Sequence, residues 1–232
     1  MKLTYLGHSC FLMVSGGLRV LIDPFITPNP LAKGLSLEGL DPTHVFLTHG
    51  HEDHVADAEA VLRNSNAQLV APYEVAMWFG SKGCENVMPV NPGAGFNIEV
   101  GGASVSVRVV GAVHSSTLPD GSPGGVPCGF VLDFDGVRVY HAGDTDLSME
   151  MELVGRLWSP DWALLPVGGT FTMGYVDVPA AMDMLRCRKV IGMHYDTFPP
   201  IAIDREVALS TVRDAGGELH LPAIGSVLET MN

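Results

Sequence analysis

Apolar residues come in short runs at the start of the chain, and these runs predict an antiparallel meander of three β-strands. Gly or Ser-Gly-Gly punctuation separates the runs, which cover residues 3–6, 10–14 and 18–22. After a Pro-rich connection, the apolar run 44–48 predicts a buried strand. Residues 53–63 then have helical spacing, and 68–71 predict another strand. This order indicates a βαβ unit, whose ligands bind at the carboxyl end of the first strand.

The second half of the chain, from residue 96, again places a group of strands before alternating strands and helices. The grouped strands are predicted at residues 96–100, 103–110, 128–134 and 137–140, with Asp135-Gly136 as a hairpin turn. Helical patterns at 149–158, 178–185 and 204–215 then alternate with strands at 162–166 and 189–193. Because no low-complexity linker separates the halves, we expect a single α/β domain over residues 1–232. Its four layers would be two β-sheets with helices on both outer faces.

The composition narrows the range of partners. Of the 232 residues, 13 are Lys or Arg and 26 are Asp or Glu, so the formal charge of −13 repels phosphate backbones and anionic lipids. No apolar run approaches the ~20 residues that cross a bilayer, and the start of the chain lacks an apolar signal region. We expect a cytoplasmic protein that binds a small molecule, with neither nucleic acid nor a membrane as partner.

The four cysteines are scattered, without any Cys-x-x-Cys pair. Free cysteine is among the most buried residue types, so they are expected to fill the core rather than to act as nucleophiles or metal ligands. A homo-oligomer is the commoner expectation for a soluble enzyme, although no interface can be located from the sequence. The four positions are Cys10, Cys84, Cys128 and Cys187.

A dense cluster of polar residues directly follows the predicted strand 44–48. Within seven residues, Thr48-His49-Gly50-His51-Glu52-Asp53-His54, the chain places three imidazoles and two carboxylates. His49 and His51 are two apart and can project the same way from an extended strand end. Asp53 and His54 are adjacent on a helix, so their side chains point about 100° apart. Side chains that diverge in this way are better placed to bind two neighbouring ions than to bind the same one. Neutral imidazole and carboxylate ligands suit Zn, Mn or Fe.

This segment matches the H-x-H-x-D-H signature of the metallo-β-lactamase superfamily, which the chain resembles over nearly its whole length. The resemblance is nearest to an uncharacterised branch of metal-dependent hydrolases related to L-ascorbate-6-phosphate lactonase. It implies an αββα sandwich of two mixed β-sheets. The segments that carry this finer likeness include Tyr5-Leu6-Gly7-His8-Ser9, Pro119-Asp120-Gly121, Tyr140-His141-Ala142-Gly143-Asp144-Thr145 and Met193-His194-Tyr195.

The resemblance also implies ligands beyond the cluster, each after a predicted strand. It implies that His49, His51 and His114 bind a first ion, that Asp53, His54 and His194 bind a second, and that Asp144 bridges them. A lone His beside an apolar strand is usually structural, and a lone Asp before Thr is usually a cap. The joint occurrence of all three distant residues favours ligation of one or two divalent ions, with zinc as the first expectation.

Four further residues are assigned around the proposed centre. His8 lies in a turn and is interpreted either as a substrate contact or as a residue that orients a ligand, and His141 either orients a ligand or packs in the core. The long Gly- and Pro-rich loop 115–127 is expected to border the site, where Asp120 holds its turn or contacts substrate. Thr170, in the loop after strand 162–166, is expected to bind substrate beside Gly168-Gly169.

These residues predict a hydrolase in which metal coordination activates a water and Asp53 holds it and shuttles its proton. The predicted substrate is a small ester, lactone or phosphoester. Two alternatives stay open: a nuclease or phosphodiesterase of the same superfamily, against which the negative charge counts, and a metal-binding protein without turnover. A Ser-His-Asp mechanism is unsupported, because Ser115 and Ser116 have no paired base in the sequence.

Overall fold

A computed structural model of the chain describes residues 1–229 and contains fourteen strands and six α-helices. The strands are β1 Lys2–Gly7, β2 Cys10–Ser15, β3 Leu18–Ile22, β4 His44–Phe46, β5 Gln68–Pro72, β6 Val87–Val90, β7 Gly95–Val100, β8 Ala103–Gly111, β9 Cys128–Phe134, β10 Val137–His141, β11 Trp162–Pro166, β12 Lys189–Met193, β13 Glu218–His220 and β14 Val227–Glu229. The helices are α1 Glu52–Val55, α2 Ala58–Asn64, α3 Tyr73–Ser81, α4 Met149–Leu157, α5 Val178–Leu185 and α6 Arg205–Asp214.

The strands form two seven-stranded sheets of matching design. The first has the order β14-β1-β2-β3-β4-β5-β6 and the second β13-β12-β11-β10-β9-β8-β7. In the first sheet, β1, β2 and β3 form the predicted antiparallel meander, and β3 to β6 run parallel. In the second sheet, β7 to β10 are antiparallel and β10 to β13 are parallel. The predicted pair of mixed sheets is confirmed, as is the turn at Asp135 and Gly136, both of which have positive φ.

Apolar side chains from both sheets fill the central core, and helices cover the outer faces. Phe46 of the first sheet and Phe130 of the second are fully buried, and their ring centroids lie 5.0 Å apart. Burying one such ring contributes about 1.5–3 kcal/mol relative to leaving it exposed. A second cluster, which includes Leu69 and Phe79, lies between the first sheet and α1 to α3. The layers are therefore helix, sheet, sheet and helix, as the hydrophobic pattern predicts.

Asp23 and Asp57 account for two differences from the predicted elements. The predicted helix 53–63 is broken between α1 and α2, where the Asp57 carboxylate accepts hydrogen bonds from the amides of Ile26 (2.6 Å) and Thr27 (2.8 Å). The predicted strand 44–48 ends at Phe46, because the Thr48 amide donates to Asp23 (2.8 Å) rather than to a neighbouring strand.

Three strands were missed by the hydrophobic pattern, and all three lie at the edges of the sheets. β13 and β14 have only three residues each, too few for alternation to be visible. β6 contains Pro89, which is tolerated on an edge strand because one side of such a strand needs no partner. Within residues 1–229, no helix is both long and apolar enough to cross a membrane.

Candidate metal centre

Three histidines meet at the ends of β4 and β8. His49 lies three residues beyond β4 and is fully buried, and its Nε2 lies 3.0 Å from Nδ1 of His51. Thr48 fixes the other side of the His49 ring through a 2.9 Å contact with Nδ1. His114 comes from the loop after β8, and one nitrogen from each of the three rings falls within 4.8 Å of the others. Three nitrogens at this spacing can hold one metal ion.

A second group of candidate ligands adjoins the first. Atoms of His8, Asp53, His54 and His194 lie within 4.8 Å of one another. Asp53 and His54 belong to α1, and the His54 ring also lies beside His49, with centroids 4.1 Å apart, so the two groups adjoin each other. His194 follows β12 directly, and its Nε2 lies 3.9 Å from Oδ2 of Asp53.

Asp144 lies between the two groups. Its Oδ2 is 3.1 Å from Nε2 of His194, 3.3 Å from that of His54 and 3.5 Å from that of His114. The distance to Nε2 of His49 is 4.0 Å. The fold therefore brings together all seven side chains that were predicted as ligands, with Asp144 in the position expected of a bridge.

The donor atoms and the electrostatics of this centre fit a cation. Nε2 of His54 and Oδ1 of Asp144 are buried and have no hydrogen-bond partner among the described residues, and a metal ion would satisfy both. Burial lowers the pKa of His49, His51 and His114, so each ring is neutral and offers one unprotonated nitrogen to a metal ion.

His54 shows the same preference for positive charge. Burial alone would lower its pKa, but the negative charges of Asp144 and Asp23 raise it well above its ordinary value. The surrounding carboxylates thus favour a positive charge at this point, which either a proton or a metal ion provides. The same carboxylates would stabilise a bound divalent ion.

Asp23 is a functional residue that the sequence analysis missed. It follows β3 and is fully buried; its Oδ2 accepts hydrogen bonds from His54 Nδ1 (2.8 Å) and Thr48 Oγ1 (2.7 Å). Because Asp23 holds a proton on Nδ1, Nε2 of His54 is the nitrogen that would exchange its proton for a metal ion beside Asp144, as in other carboxylate–histidine–metal arrangements. The one available signal was an acidic residue at the end of a buried strand, but Asp before Pro is also typical of a turn.

His8 is buried behind Asp53 rather than exposed at the rim. Only 1% of its surface is accessible, so it is not placed to contact substrate. Nε2 lies 3.2 Å from Oδ2 of Asp53, and Nδ1 lies 2.9 Å from the Thr197 hydroxyl. Burial lowers the pKa of His8 to about 4, so the ring is neutral and carries one proton. Of the two predicted roles, the structure favours orientation of a neighbouring residue.

Asp53 is only partly buried and faces both the metal centre and solvent, with 27% of its side chain exposed. Burial would raise its pKa, but the hydrogen bond with His8 and the charge of His54 bring it well below its ordinary value. The carboxylate is therefore ionised and can bind a cation or accept a hydrogen bond from a water.

A cavity of about 400 Å³ opens onto the two groups of ligands. Thr170 lines it as predicted, although its hydroxyl donates to the carbonyl of Pro200 (2.7 Å). Asp120 does not line it. Its carboxylate instead accepts hydrogen bonds from Trp78 Nε1 (2.6 Å) and the Ser122 amide (3.0 Å), which gives it the turn-holding role in the loop 115–127. The lining residues are His51, Asp53, His114, Ser115, Asp144, Thr170, Phe171 and His194.

The other polar residues considered in the sequence lie outside the ligand groups. His141 is fully buried; its Nε2 donates to the Ser9 carbonyl (3.0 Å), and its Nδ1 accepts from the Gly143 amide (3.2 Å). It therefore shapes the turn that leads to Asp144. Of the four cysteines, Cys84 is partly exposed and the other three are buried, and none belongs to a candidate metal site in the described part of the chain.

Comparison with known proteins gives consistent matches along the whole chain. Residues 2–194 match the beta-lactamase superfamily domain. A "UPF0173 metal-dependent hydrolase" of Christiangramia forsetii is 42% identical over 99% of this chain and 100% of its own length, and one of Methylacidiphilum infernorum is 41% identical over 92% and 93%. The structure of Igni18, described as a novel metallo hydrolase from Ignicoccus hospitalis, aligns with a TM-score of 0.86 and 36% identity, covering 98% of this chain and 97% of that one.

Proposed function

The chain belongs to the metal-dependent hydrolases of the metallo-β-lactamase superfamily, and we propose that it cleaves a small ester, lactone or phosphoester bond with a metal-activated water. The observation that carries this proposal is the position of Asp144, whose Oδ2 lies within 3.5 Å of imidazoles from both ligand groups. A carboxylate at such a point can bridge two ions, whereas a single ion held by the first group would leave two of the five imidazole ligands, His54 and His194, without a role.

We assign His49, His51 and His114 to one ion and Asp53, His54 and His194 to the other, with Asp144 bridging. All of these donors are nitrogen or oxygen atoms, which suits zinc, manganese or iron. When bound, such ions lower the pKa of a coordinated water and polarise the oxygen of the bond to be broken.

Asp53 is the residue of the chain that handles the proton. Among the described residues that line the cavity, it is the only carboxylate besides Asp144, and it is ionised and partly exposed. It can accept the proton of the attacking water and pass it to the leaving oxygen. Asp144 is less suited to this task, because only 2% of its side chain is exposed and its Oδ2 is surrounded by imidazoles.

The nuclease alternative receives little support from the structure. No Lys or Arg occurs among the described residues that line the cavity, and the chain carries a formal charge of −13. Proteins that bind nucleic acids neutralise phosphates with basic side chains, and that requirement is not met here.

Metal analysis combined with substrate profiling tests the proposal. We expect the purified protein to hold up to two Zn, Mn or Fe ions per chain, and to hydrolyse members of a panel of small esters, lactones and phosphodiesters. His49→Ala and Asp144→Ala should lose metal and hydrolysis together while far-ultraviolet circular dichroism stays unchanged. Unchanged metal content in both variants would contradict the ligand assignment, and full metal content without turnover on any substrate would favour the non-catalytic alternative.

A further inference from the structure

The loops around the cavity share a charge pattern that the proposed function does not explain. Seven stretches of chain follow the strands at the edge of the sheets where the metal centre lies: 7–9, 23–32, 47–57, 112–127, 142–148, 167–177 and 194–204. Although the chain has 13 Lys and Arg residues, none lies within these stretches, and acidic residues occur in most of them. The loop after β3 continues to Lys33 and α6 begins at Arg205, but neither residue lines the cavity, and Arg205 pairs with Asp196. A negatively charged group on a substrate, placed away from the ions, would find no cationic side chain there.

The same cavity has one large apolar side chain at its mouth. Phe171 lines it together with His51 and His114, yet 56% of the Phe171 surface is exposed to solvent. An exposed aromatic ring beside an otherwise polar centre offers a contact surface for an apolar group.

The loop that carries Phe171 is held in place from several sides. Thr170 has a φ of 62°, a left-handed value that is rare for a residue with a branched side chain, and its hydroxyl is anchored to the Pro200 carbonyl. The Phe171 amide donates to the carbonyl of Gly169 (2.7 Å), and the Met173 amide donates to that of Thr145 (2.9 Å). A ring on so constrained a support loses little conformational entropy when it binds a ligand.

We infer that the substrate is uncharged and carries an apolar group next to the bond that is cleaved, and that Phe171 is the residue that binds this group. This inference rests on the proposed hydrolase function and narrows its substrate class to neutral esters or lactones. It also departs from what the likeness to a lactonase of a phosphorylated sugar acid implies, because no Lys or Arg among residues 1–229 lines the cavity to pair with a remote phosphate.

A chain-length series of neutral esters tests the apolar contact. We expect kcat/KM on p-nitrophenyl acetate, butyrate and hexanoate to rise by about two- to fourfold per added methylene in the wild type, since one buried methylene is worth about 0.8 kcal/mol. Phe171→Ala should flatten this rise, and Phe171→Leu should retain most of it. Met149→Ala is the matched control, because Met149 is an exposed apolar residue that does not line the cavity. An equal rise in wild type and Phe171→Ala would overturn the assignment.

Three esters of matched size test the charge preference. The p-nitrophenyl esters of butyrate, succinate and β-alanine present a methyl group, a carboxylate and an ammonium group at nearly the same distance from the scissile bond. We expect the neutral ester to be preferred over the anionic one by about tenfold or more. Phe171→Arg should reverse part of that preference. A wild-type enzyme that prefers either the anionic or the cationic ester would contradict the inference.

A binding measurement separates this inference from the proposed function. Acetohydroxamate and hexanohydroxamate, which chelate metal ions, can be titrated calorimetrically into metal-loaded protein in the absence of turnover. Tighter binding of the longer chain in the wild type and in Met149→Ala, but not in Phe171→Ala, would support the apolar subsite even if no ester were hydrolysed. Equal binding of the two hydroxamates by the wild type would overturn the subsite without affecting the hydrolase assignment.

Discussion

His8 Nε2 lies 3.2 Å from Asp53 Oδ2, and this contact fixes where the single proton of the His8 ring must be. An ionised carboxylate accepts hydrogen bonds and cannot donate one, so Nε2 must carry the proton. Nδ1 is then an acceptor, and the Thr197 hydroxyl 2.9 Å away must donate to it. The alternative acceptor for that hydroxyl, the Tyr195 carbonyl, is more distant at 3.3 Å. Thr197 and His8 therefore hold one oxygen of Asp53 in place.

This geometry predicts different effects for two substitutions of His8. His8→Gln retains a side-chain amide that can donate to Asp53, whereas His8→Ala removes the donor and leaves a buried cavity. We expect His8→Ala to lower kcat by about 10–100-fold and to weaken binding of one ion, as is usual when a partner of a metal ligand is lost. His8→Gln should recover part of the lost kcat and part of the lost metal affinity.

Thr197 provides the matched pair of variants for the same contact. Thr197→Val has nearly the same shape but cannot donate to His8, and Thr197→Ser can. The Val variant should lower kcat and the Ser variant should not, while the thermal midpoint changes little in either. Equal kcat values for Thr197→Val and the wild type would show that the ring is not held in this way.

Asp23 gives a second prediction, which concerns metal affinity. Its carboxylate fixes the proton on Nδ1 of His54. Asp23→Asn keeps the shape of the side chain, but its amide can either donate to Nδ1 or accept from it, so the position of the His54 proton is no longer fixed. We expect affinity for one of two ions to fall by about 10–100-fold, measured by competition with a chromogenic chelator. Asp146→Asn is the control, because Asp146 lies near Asp144 in sequence but does not belong to either ligand group. If both substitutions left the affinities unchanged, Asp23 would have no part in orienting His54.

These residues also show how far the sequence could lead. The meander β1 to β3, the paired sheets and the strand-end positions of His49, His114, Asp144 and His194 were predictable, because hydrophobic runs indicate strands and parallel strands deliver their following residues to one edge. The family resemblance was needed to identify the last three as ligands. The direction in which a turn residue points could not be predicted from the sequence. His8 has a φ of 54°, a backbone state that turns its ring inward and that the sequence does not specify.

Hydrogen-bond partners that come from distant loops could not be predicted from the sequence either. Asp23 and Thr197 meet His54 and His8 only through tertiary packing, at sequence separations of 31 and 189 residues. A single sequence contains no periodicity that reports such contacts. Short edge strands such as β13 and β14 were missed for a related reason, since their pairing is decided by the neighbouring strand.

Metal removal provides a prediction about stability. The carboxylates and imidazoles of the centre are mostly buried, so the folded state binds ions that the unfolded chain holds only weakly. Free metal at a hundred times its Kd should stabilise the protein by about 2.7 kcal/mol, which for a chain of this size corresponds to a rise of roughly 5–10 °C in Tm. Exhaustive chelation should lower Tm by that amount and re-addition should restore it. Asp144→Ala should show no such response, and a response equal to that of the wild type would argue against Asp144 as a ligand.

Gly168 provides the last prediction, because its backbone lies directly against that of His194. A Cβ atom at Gly168 would lie 2.2 Å from the His194 carbonyl oxygen, so Gly168→Ala must displace either the loop that carries Phe171 or the strand end that carries His194. A shift of about 1 Å at a catalytic centre can reduce the rate by about 100-fold. Gly174→Ala is the matched control in the same loop, since its Cβ would meet its nearest neighbour at an ordinary 3.5 Å. We expect Gly168→Ala, but not Gly174→Ala, to lose most of kcat and to bind metal more weakly, and similar kinetics for the two variants would show that close packing of this loop on His194 is not required.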